Sequence, residues 1–477
     1  MSLERSRQRI LEANLVPALL VFGLPLALGM GLQVTFNLVD AYLVSRLPSG
    51  EAGPALGAIG ICDQVAAVGS IVSFGYTTAA ATLMSHLQGR GDTVGARRIA
   101  WQSTLMVSAL GLAFALIGLF GSPFVMDELI GAQGRVKELG IEYLRVIVSG
   151  NVTIFLLLHL TSLQRALGSS KTPVLLLALS NLINLVLAVL LVFGDGPAPP
   201  PFGWGPRLAI ALGIPRMGLV GAAWATVLAR TIVLIPLGFI VVRRFGFFRR
   251  DTRGTFNRNL ERELWRLGWP SSTQLVVRIA AMLAIHSLVA RAYTTSGDQS
   301  ATTALGVVFR LETMALFIGL GWGSATQTFV GQNLGASNLT RAKRSAWFAT
   351  LFNAGMMALL SVIYYAYGPA IVRFFDEEPL VVDLSQKYMH IVGPSYLGLG
   401  VGIVLGAALQ AAGRPRLTLL LDLVVLGAIL LPPAVVITLR QGSISAIFWA
   451  ISCAYFAFAA VYGVVFYRAR FHKRLGT

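Results

Sequence analysis

The sequence predicts an all-α membrane protein, with twelve transmembrane helices arranged as two parallel six-helix lobes. Three observations lead to this fold class. Apolar residues make up 55% of the 477 positions and charged residues only 12%, and the mean hydropathy of +0.72 is far above that of a soluble domain. The chain also contains twelve long apolar runs, and a basic loop of its first half returns in its second half.

Each apolar run is long enough to cross a bilayer, which takes roughly 20 residues of helix. The first run is too long for a signal peptide and no small-residue cleavage site follows it, so we expect it to remain as a signal-anchor span. The runs lie near residues 16–45, 55–86, 96–122, 138–166, 172–194, 217–242, 264–292, 301–332, 343–372, 384–410, 417–438 and 444–467.

The repeated loop follows the second and the eighth runs. It reads GRGDTVGARRIAW at 89–101 and GASNLTRAKRSAW at 335–347. Because each half has an even number of spans, both halves enter the membrane from the same side, and the pseudo-twofold axis runs along the membrane normal. Pro25 and Pro270 occupy matching places in the first and seventh runs, and either a moving bend or a static kink is expected there.

Charge is distributed by side of the membrane. Most of the 38 Lys and Arg residues lie in alternate loops, in the central linker and at both termini, whereas the opposite loops carry most acids. This positive-inside pattern predicts a multi-pass protein of the cytoplasmic (inner) membrane with cytoplasmic N- and C-termini. The net charge of +17 then indicates contact with anionic membrane lipids, and no nucleic acid is expected as a partner.

These features predict five segments. They are an N-terminal amphipathic arm (1–15), an N-lobe with spans 1–6 (16–242), a cytoplasmic basic linker (243–263), a C-lobe with spans 7–12 (264–467) and a basic cytoplasmic tail (468–477). In the arm, Leu3, Ile10 and Leu11 are expected to face the membrane interface. A functional monomer is expected, because both halves of the repeat lie in one chain.

Three polar residues of the first span share one helical face. Gln33, Asn37 and Asp40 recur at the spacing of successive helical turns. A charge in hydrocarbon costs at least a few kcal/mol, so an intramembrane carboxylate usually has a task. We interpret Asp40 as a proton carrier and Asn37 as its neighbour in the ion-coupling site; the alternative is a structural hydrogen bond between helices.

Further polar residues lie on the fifth and sixth spans. Asn181 and Asn184 are on the fifth, and Thr226 and Arg230 are one turn apart on the sixth. Amides and hydroxyls often only join helices, but beside Asp40 they become candidates for ordering water or a cation. We assign Asn184 and Thr226 to ion coupling. The alternative, that they only form structural hydrogen bonds between helices, remains open. The substrate-binding candidates are Gln33, Asn181, Arg230, Arg278 and Glu312.

The second half has its own intramembrane charges. Asp63 falls opposite Glu312 when the two halves are aligned, which suggests a structural role for each acid in its lobe. We expect Glu312 to pair with Arg278 or Arg310. Asp422 is expected to pair with arginines at the rim, since it lies within about two helical turns of them.

Several kinds of chemistry have no signature in this sequence. There is no Walker loop, no zinc-spaced Cys/His cluster and no nucleophile elbow, so we expect neither an enzyme nor an ATP-driven pump. No cofactor or metal is expected, and the energy source should be an ion gradient. Cys62 and Cys453 lie in distant apolar runs, and a disulfide between them is not expected.

The chain resembles the MATE family (multidrug and toxic compound extrusion), and its DinF-like branch most closely. The resemblance covers essentially the whole chain and is strongest at four places: Val39-Asp40-Ala41, the run from Asn184 to Phe193-Gly194, GLVGAAWAT at 218–226 and VGQNLGA at 330–336. It implies an antiporter, driven by protons or Na⁺, that expels organic, often cationic and amphipathic compounds such as drugs and toxic metabolites.

The resemblance also implies where the ion is bound. Asp40, Asn184 and Thr226 match the N-lobe coupling residues of the DinF-like branch, whereas Ala188 replaces the acid of its fifth helix. A missing carboxylate removes charge that a bound Na⁺ needs, and this favours H⁺. The C-lobe site of NorM-like members is not carried over, because the seventh span has Arg278 and His286 where those members have an acid.

Together these points predict a secondary antiporter that exports small organic cations by alternating access of its two lobes, driven by inward H⁺ or, less favoured, Na⁺. Two alternatives remain. A lipid-linked saccharide flippase of the same superfamily would need a strongly cationic cavity, and a non-coupled channel or scaffold would show no gradient-driven flux.

Overall fold

The computed structural model describes residues 3–48, 50–245, 256–295 and 297–469, except for the side chains of 33–39, 41, 244 and 245. Helix is the only regular secondary structure in these residues, and twelve helical segments are long and apolar enough to cross a membrane. The all-α, two-lobed fold class is therefore confirmed. Residues 246–255 of the predicted linker and 470–477 of the predicted tail lie outside the described residues.

The α-helices are numbered in chain order. They are α1 (Leu3–Leu11), α2 (Leu15–Ser45), α3 (Ala52–Arg90), α4 (Thr93–Phe124), α5 (Gly134–Ser149), α6 (Asn151–Ala166), α7 (Lys171–Phe193), α8 (Trp204–Leu212), α9 (Gly218–Phe245), α10 (Arg258–Tyr293), α11 (Ser300–Gly335), α12 (Leu339–Arg373), α13 (Pro379–Val392), α14 (Tyr396–Ala411), α15 (Pro415–Val424), α16 (Leu431–Leu439) and α17 (Ile444–Arg468).

Three spans consist of two helices each. In the fourth span, α5 and α6 meet at Gly150, and in the tenth a 3₁₀ turn over Gly393–Ser395 separates α13 from α14. In the eleventh, a π-helical turn over Val425–Leu430 precedes Pro432 and Pro433, which lack the N–H groups that would continue a regular helix. The breaks in the fourth and tenth spans occupy equivalent places and reflect the duplication.

Pro25 and Pro270, the two expected bends, both lie inside uninterrupted helices. α2 continues past Pro25 to Ser45, and α10 continues past Pro270 to Tyr293. Residues next to each proline pack closely against the other lobe: Leu26 lies against Gly321, and Gly268 lies against Gly75. Each proline therefore lies within one continuous α-helix.

The lobes meet along three helix pairs, α2 with α11, α3 with α10 and α3 with α11. Small residues bring these helices close together. A Cβ added at Gly268 would lie 3.2 Å from the Gly75 carbonyl oxygen, and one added at Gly23 would collide with the Trp322 ring. Close backbone approach through small residues is how transmembrane helices gain packing energy, because lipid offers no hydrophobic drive for their association.

Side-chain hydrogen bonds between the lobes strengthen one end of this interface, the end where α1 lies (the α1 end). Gln332 donates to the Ala166 carbonyl at 2.8 Å, and His86 donates to the Ala411 carbonyl at 2.7 Å. Gln327 adds bonds to α3. In the described part of the chain, the interlobe bonds lie between mid-depth and the α1 end, so the lobes are joined most firmly there.

Helix α1 lies across this joint. Arg7 donates to the Gly89 carbonyl of the first lobe at 2.9 Å, while Arg341 of the second lobe donates to the Ile10 carbonyl at 3.1 Å. The expectation that Ile10 faces the membrane interface is wrong, because its side chain is 2% exposed and packs into the protein core against α11. Gly168 lies directly beneath it.

Candidate functional site

The far end of the molecule, opposite α1, contains a polar cluster built from three helices of the first lobe. The Asn184 amide on α7 donates to both carboxylate oxygens of Asp40 on α2, at 2.9 and 3.0 Å. The Thr226 hydroxyl on α9 donates to the Asn184 side-chain oxygen at 3.2 Å and to the Ala222 carbonyl at 3.0 Å. Three residues singled out from the sequence thus form one hydrogen-bonded chain.

Close packing of α7 and α9 sets this geometry. A Cβ added at Gly221 would collide with the Leu191 carbonyl, so the start of α9 can rest against the end of α7. One turn further, Thr226 reaches Asn184. Ala188, in the place of the acid expected from the family pattern, is fully buried in this contact, so the position fills space and adds no charge.

Two more charged residues accompany Asp40. Asp63 on α3 accepts a hydrogen bond from the Tyr143 hydroxyl on α5 at 3.1 Å. The Arg230 guanidinium on α9 interacts electrostatically with Asp40, Asp63 and Tyr143. The first lobe therefore holds two carboxylates and one arginine within one electrostatic neighbourhood, which lies among α2, α3, α5 and α9. We call these residues, with Asn184 and Thr226, the N-lobe polar site.

Sequence reasoning did not bring Asp63 together with Asp40, because it matched Asp63 with Glu312 by the repeat alone. A signal was nevertheless present. Asp40 lies near the end of the first span and Asp63 near the start of the second, and a short connection joins the two spans. Antiparallel neighbours joined in this way place both acids near the same end of the molecule.

The other candidate residues of the first lobe are not part of this hydrogen-bonded chain in the described structure. Asn181 is half-buried on α7, one turn from Asn184. Gln33 and Asn37 lie on α2, but their side chains are outside the described residues, so their assigned roles stay predictions. Arg230, predicted to contact substrate, lies among the acids of the N-lobe polar site.

In the second lobe the expected charge pairs are wrong. Arg278 on α10 forms its ion pair with Asp422 on α15, with 2.5 Å between Nε and Oδ2. Asp422 is fully buried and also accepts a hydrogen bond from Tyr462 at 2.5 Å. Because α10 packs directly on α15, the side of α10 that carries Arg278 lies against Asp422. The prediction that Asp422 pairs with arginines at the rim is therefore wrong.

Glu312 has tyrosine partners where an arginine was expected. It accepts hydrogen bonds from Tyr388 at 2.6 Å and from Tyr455, and only 7% of the residue is exposed. Arg310 is two positions earlier on α11 and is exposed, because residues two apart point to nearly opposite faces of a helix. Arg278 is occupied by Asp422, so neither arginine pairs with Glu312.

The comparison with known proteins agrees with this architecture. The MatE family model matches residues 25–190 and 278–436. Among curated relatives, the probable multidrug resistance protein YpnP of Bacillus subtilis is 26% identical over 87% of this chain and 86% of its own length. A FAD transporter of Shewanella oneidensis is 26% identical over 90% of each chain.

Solved structures show the same fold. A MATE crystal structure in the straight conformation superposes with a TM-score of 0.82 at 20% identity, and 97% of each chain is covered. A multidrug resistance MATE transporter in an outward-facing conformation gives 0.81 at 20% identity, with 96% of each covered. The match of the family model over most of the chain, with twelve spans in two lobes, shows that this protein belongs to the MATE family of transporters.

Proposed function

We propose that this protein exports small organic cations across the cytoplasmic membrane in exchange for protons, with Asp40 as the coupling residue. The observation that carries the proposal is the pair of hydrogen bonds from Asn184 to Asp40 within the membrane-spanning part of the first lobe. The names of relatives support export of drugs, since they include multidrug resistance and multidrug export proteins.

The hydrogen bonds suggest how proton binding could move helices. An ionised carboxylate only accepts hydrogen bonds, and here both of its oxygens receive the Asn184 amide. A protonated Asp40 has an O–H donor of its own, so one of these two contacts must change. Because Asn184 also accepts from Thr226, the change is passed from α2 through α7 to α9.

The donor set favours H⁺ over Na⁺ as the coupling ion. A hard cation such as Na⁺ needs several oxygen ligands with enough negative charge. Asp40 instead faces an amide N–H₂ group, Ala188 contributes no ligand, and the positive charge of Arg230 lies nearby. A proton needs only one carboxylate oxygen.

The interlobe contacts supply a frame for alternating access. We infer that the α1 end is cytoplasmic, as the distribution of basic residues predicts, and that the hydrogen bonds there close the cytoplasmic side. Protons from outside then reach Asp40 from the far end, neutralise it and weaken its attraction for a cationic cargo. The cargo leaves outward, and the lobes rock to open the other side. One chain contains both lobes, so we propose a functional monomer.

A lipid-linked saccharide flippase is the weaker alternative. It requires free positive charge in the cleft to hold an anionic diphosphate. Arg278 is neutralised by Asp422, and the charge of Arg230 acts on two carboxylates. Among Arg230, Arg278 and Arg310, only the exposed Arg310 is therefore left to supply such a charge. The organic-cation antiporter fits these residues better.

Proteoliposomes test the proposal. The purified protein is reconstituted, and uptake of several cationic dyes is measured under a pH gradient or a Na⁺ gradient, for the wild type, Asp40→Asn and the loop control Asp298→Asn. We expect uptake driven by the pH gradient in the wild type and in the control, and its loss in Asp40→Asn. Equal uptake in Asp40→Asn would show that Asp40 is not the coupling residue, and uptake driven only by Na⁺ would contradict proton coupling.

A further inference from the structure

We propose that the beginning of α10 (258–267) moves with the first lobe during transport, although α10 is the first helix of the second lobe. At the α1 end the lobes then part between α3 and α11, while α3 and the beginning of α10 stay together. The inference rests on the proposed function, since it assumes that the lobes rock in alternating access.

A hydrogen-bonded group, which we call the α10 latch, fixes the beginning of α10 to the first lobe. The buried carboxylate of Glu261 accepts hydrogen bonds from the Tyr76 hydroxyl on α3, at 3.0 and 3.1 Å, and from the Gln102 amide on α4 at 3.0 Å. Gln102 also binds the backbone of Asn257: it donates to the carbonyl at 3.0 Å and accepts from the N–H group at 3.1 Å. Two helices of the first lobe therefore hold this segment.

Apolar packing attaches the same segment to the first lobe. Leu264 is fully buried and Leu267 nearly so, and both belong to a hydrophobic cluster whose other buried members come from the first lobe. The ring of Trp265 meets the Tyr76 ring edge-on, with 5.3 Å between centroids. The beginning of α10 thus shares its core with the first lobe.

The attachment of α10 changes from one lobe to the other within a single helical turn. Ser272 still donates to the Ile71 carbonyl of α3 at 2.9 Å. Gln274 instead donates to the Tyr462 hydroxyl on α17 at 3.2 Å and accepts from the Gln410 amide on α14 at 2.8 Å. Three buried apolar residues further along belong to the core of the second lobe: Ala281, Ile285 and Val289.

Pro270 lies directly before this change of partners. Because proline has no N–H group, the carbonyl of Arg266 lacks its usual helical hydrogen bond. Bending α10 at this place therefore breaks one backbone bond fewer than bending it elsewhere. We expect the bend between positions 267 and 274 when the second lobe moves relative to the first.

The counterpart of α10 in the first lobe, α2, has the reciprocal arrangement. Its first part packs in the core of the second lobe, where Phe22 meets Phe329, and its later part returns to the first lobe, where Asp40 accepts from Asn184. Each lobe thus holds the beginning of the other lobe's first helix. At the α1 end, the pairs α2 with α11 and α3 with α10 therefore lie inside the moving bodies.

The third pair, α3 with α11, is left to separate at this end. The Gln327 amide on α11 donates to the Thr82 hydroxyl on α3 at 2.9 Å, and a Cβ added at Gly89 would collide with the Gln332 carbonyl. The buried apolar residues of α3 and those of α11 belong to different clusters. These two helices can therefore part without dividing a hydrophobic core.

Reversible cross-links distinguish the two contacts. In a background without the two native cysteines, Gln102→Cys with Asn257→Cys joins the α10 latch, and Thr82→Cys with Gln327→Cys joins α3 to α11. A short bifunctional methanethiosulfonate bridges each pair, and a reductant releases it, so each variant is its own reference. Bridging the latch pair should change pH-driven dye uptake by less than about twofold, whereas bridging the α3–α11 pair should lower it at least about tenfold, because only the second bridge prevents rigid-body separation.

Glu261→Ala tests the latch itself. We expect it to slow uptake several fold, because the beginning of α10 then follows the first lobe less closely. Bridging the latch pair of cysteines in this variant should restore the rate, which a loss of stability alone does not predict. Glu263→Ala is the matched control, since Glu263 is on the same turn and lies 3.8 Å from the exposed Arg266 of its own helix.

Two outcomes would overturn the inference: a loss of uptake on bridging the latch pair as large as that on bridging the α3–α11 pair, or full uptake with the α3–α11 pair bridged. If Glu261→Ala fails to fold, the two bridged pairs still decide. A wild type without pH-driven uptake would instead refute proton coupling. Uptake driven by a Na⁺ gradient would then carry the same comparison of bridges, so the two failures are distinguishable.

Discussion

At the scale of single residues, Asn184 is the centre of the N-lobe polar site. Its amide nitrogen donates to Asp40 and its oxygen accepts from Thr226, so all three side chains depend on its position. A hydrogen bond to a charged group contributes about 1.5–3 kcal/mol, whereas one between neutral groups contributes about 0.5–1.5 kcal/mol. The two contacts of Asn184 should therefore differ in their effect on transport.

We predict that Asn184→Leu lowers pH-driven uptake by at least about tenfold and that Thr226→Val lowers it by only a few fold, in line with these energies. Uptake rates in proteoliposomes at matched protein content measure both effects. Thr231→Val is the control, because Thr231 is on the same helix and its hydroxyl only bonds back to the Val227 carbonyl. A larger loss for Thr226→Val than for Asn184→Leu would contradict this order.

The Arg278–Asp422 pair makes a separate prediction about stability. Asp422 is fully buried, so Arg278→Gln leaves a buried charge without its cation, at a cost of about 3–5 kcal/mol. The double variant Arg278→Gln with Asp422→Asn removes both charges and should recover most of this loss. Thermal unfolding in detergent measures the effect, and a double variant as unstable as the single one would argue against a charge penalty.

The residues also show what a single sequence can predict. Asp40, Asn184 and Thr226 could be grouped, because a carboxylate in a span is rare and the family pattern names its neighbours. The partners of Glu312 and Arg278 could not, because they depend on which face each helix turns to its neighbours. The tyrosines that bond to Glu312 could not be predicted either, because apolar runs often contain tyrosines that have no polar partner.

At the scale of helices, close packing at glycines holds the lobes together. A Cβ added at Gly75 on α3 would collide with the Gly268 carbonyl and with Ser272 on α10. Both obstacles belong to the other lobe, and one of them is backbone that cannot rotate away. The approach of α3 to α10 therefore depends on the absence of a side chain at this position.

We predict that Gly75→Val separates the lobes, lowers the thermal stability and reduces uptake to a small fraction of the wild-type rate. Stability in detergent and uptake in proteoliposomes report the two effects. Gly60→Val is the control, because Gly60 is on the same helix and nothing lies within 4 Å of the Cβ it would gain. Similar behaviour of both variants would mean that helix propensity, and not the lobe contact, explains the result.

The spans themselves follow from the sequence, because long apolar runs leave few alternatives in a bilayer. The breaks inside the fourth and tenth spans do not. Gly150 and Gly393 are two among 50 glycines in the chain, and most helical glycines sit in unbroken helices, as Gly75 does. Pro25 and Pro270 lie inside helices that continue past them, and the bend or kink expected at each stays a prediction.

At the scale of the whole molecule, α1 connects both lobes at their closed end. Arg7 bonds to the first lobe, and Arg341 of the second lobe bonds to the carbonyl of Ile10. Opening this end requires the lobes to part, so α1 must release at least one of them. The energy of these contacts therefore biases the protein towards the conformation in which the α1 end is closed.

We predict that Arg341→Gln shifts this balance towards opening of the α1 end. The measurement is maleimide labelling of Ser85→Cys, in a background without Cys62 and Cys453, since Ser85 is fully buried and lies against Gly331 of the other lobe. Labelling should be several times faster with Arg341→Gln. Arg373→Gln, on the same helix at the far end, is the control; equal acceleration by both would exclude a specific role of α1.

The packing of α2 has a consequence for biogenesis. The first part of α2 belongs to the core of the second lobe: Leu19, Phe22 and Leu26 cluster there, and the Phe22 ring meets Phe329 at 5.5 Å between centroids. The first span to be synthesised therefore completes its packing only after the eighth has entered the membrane. In a chain truncated after six spans, this surface would lack its partner and face lipid, so the final packing of α2 depends on the second lobe.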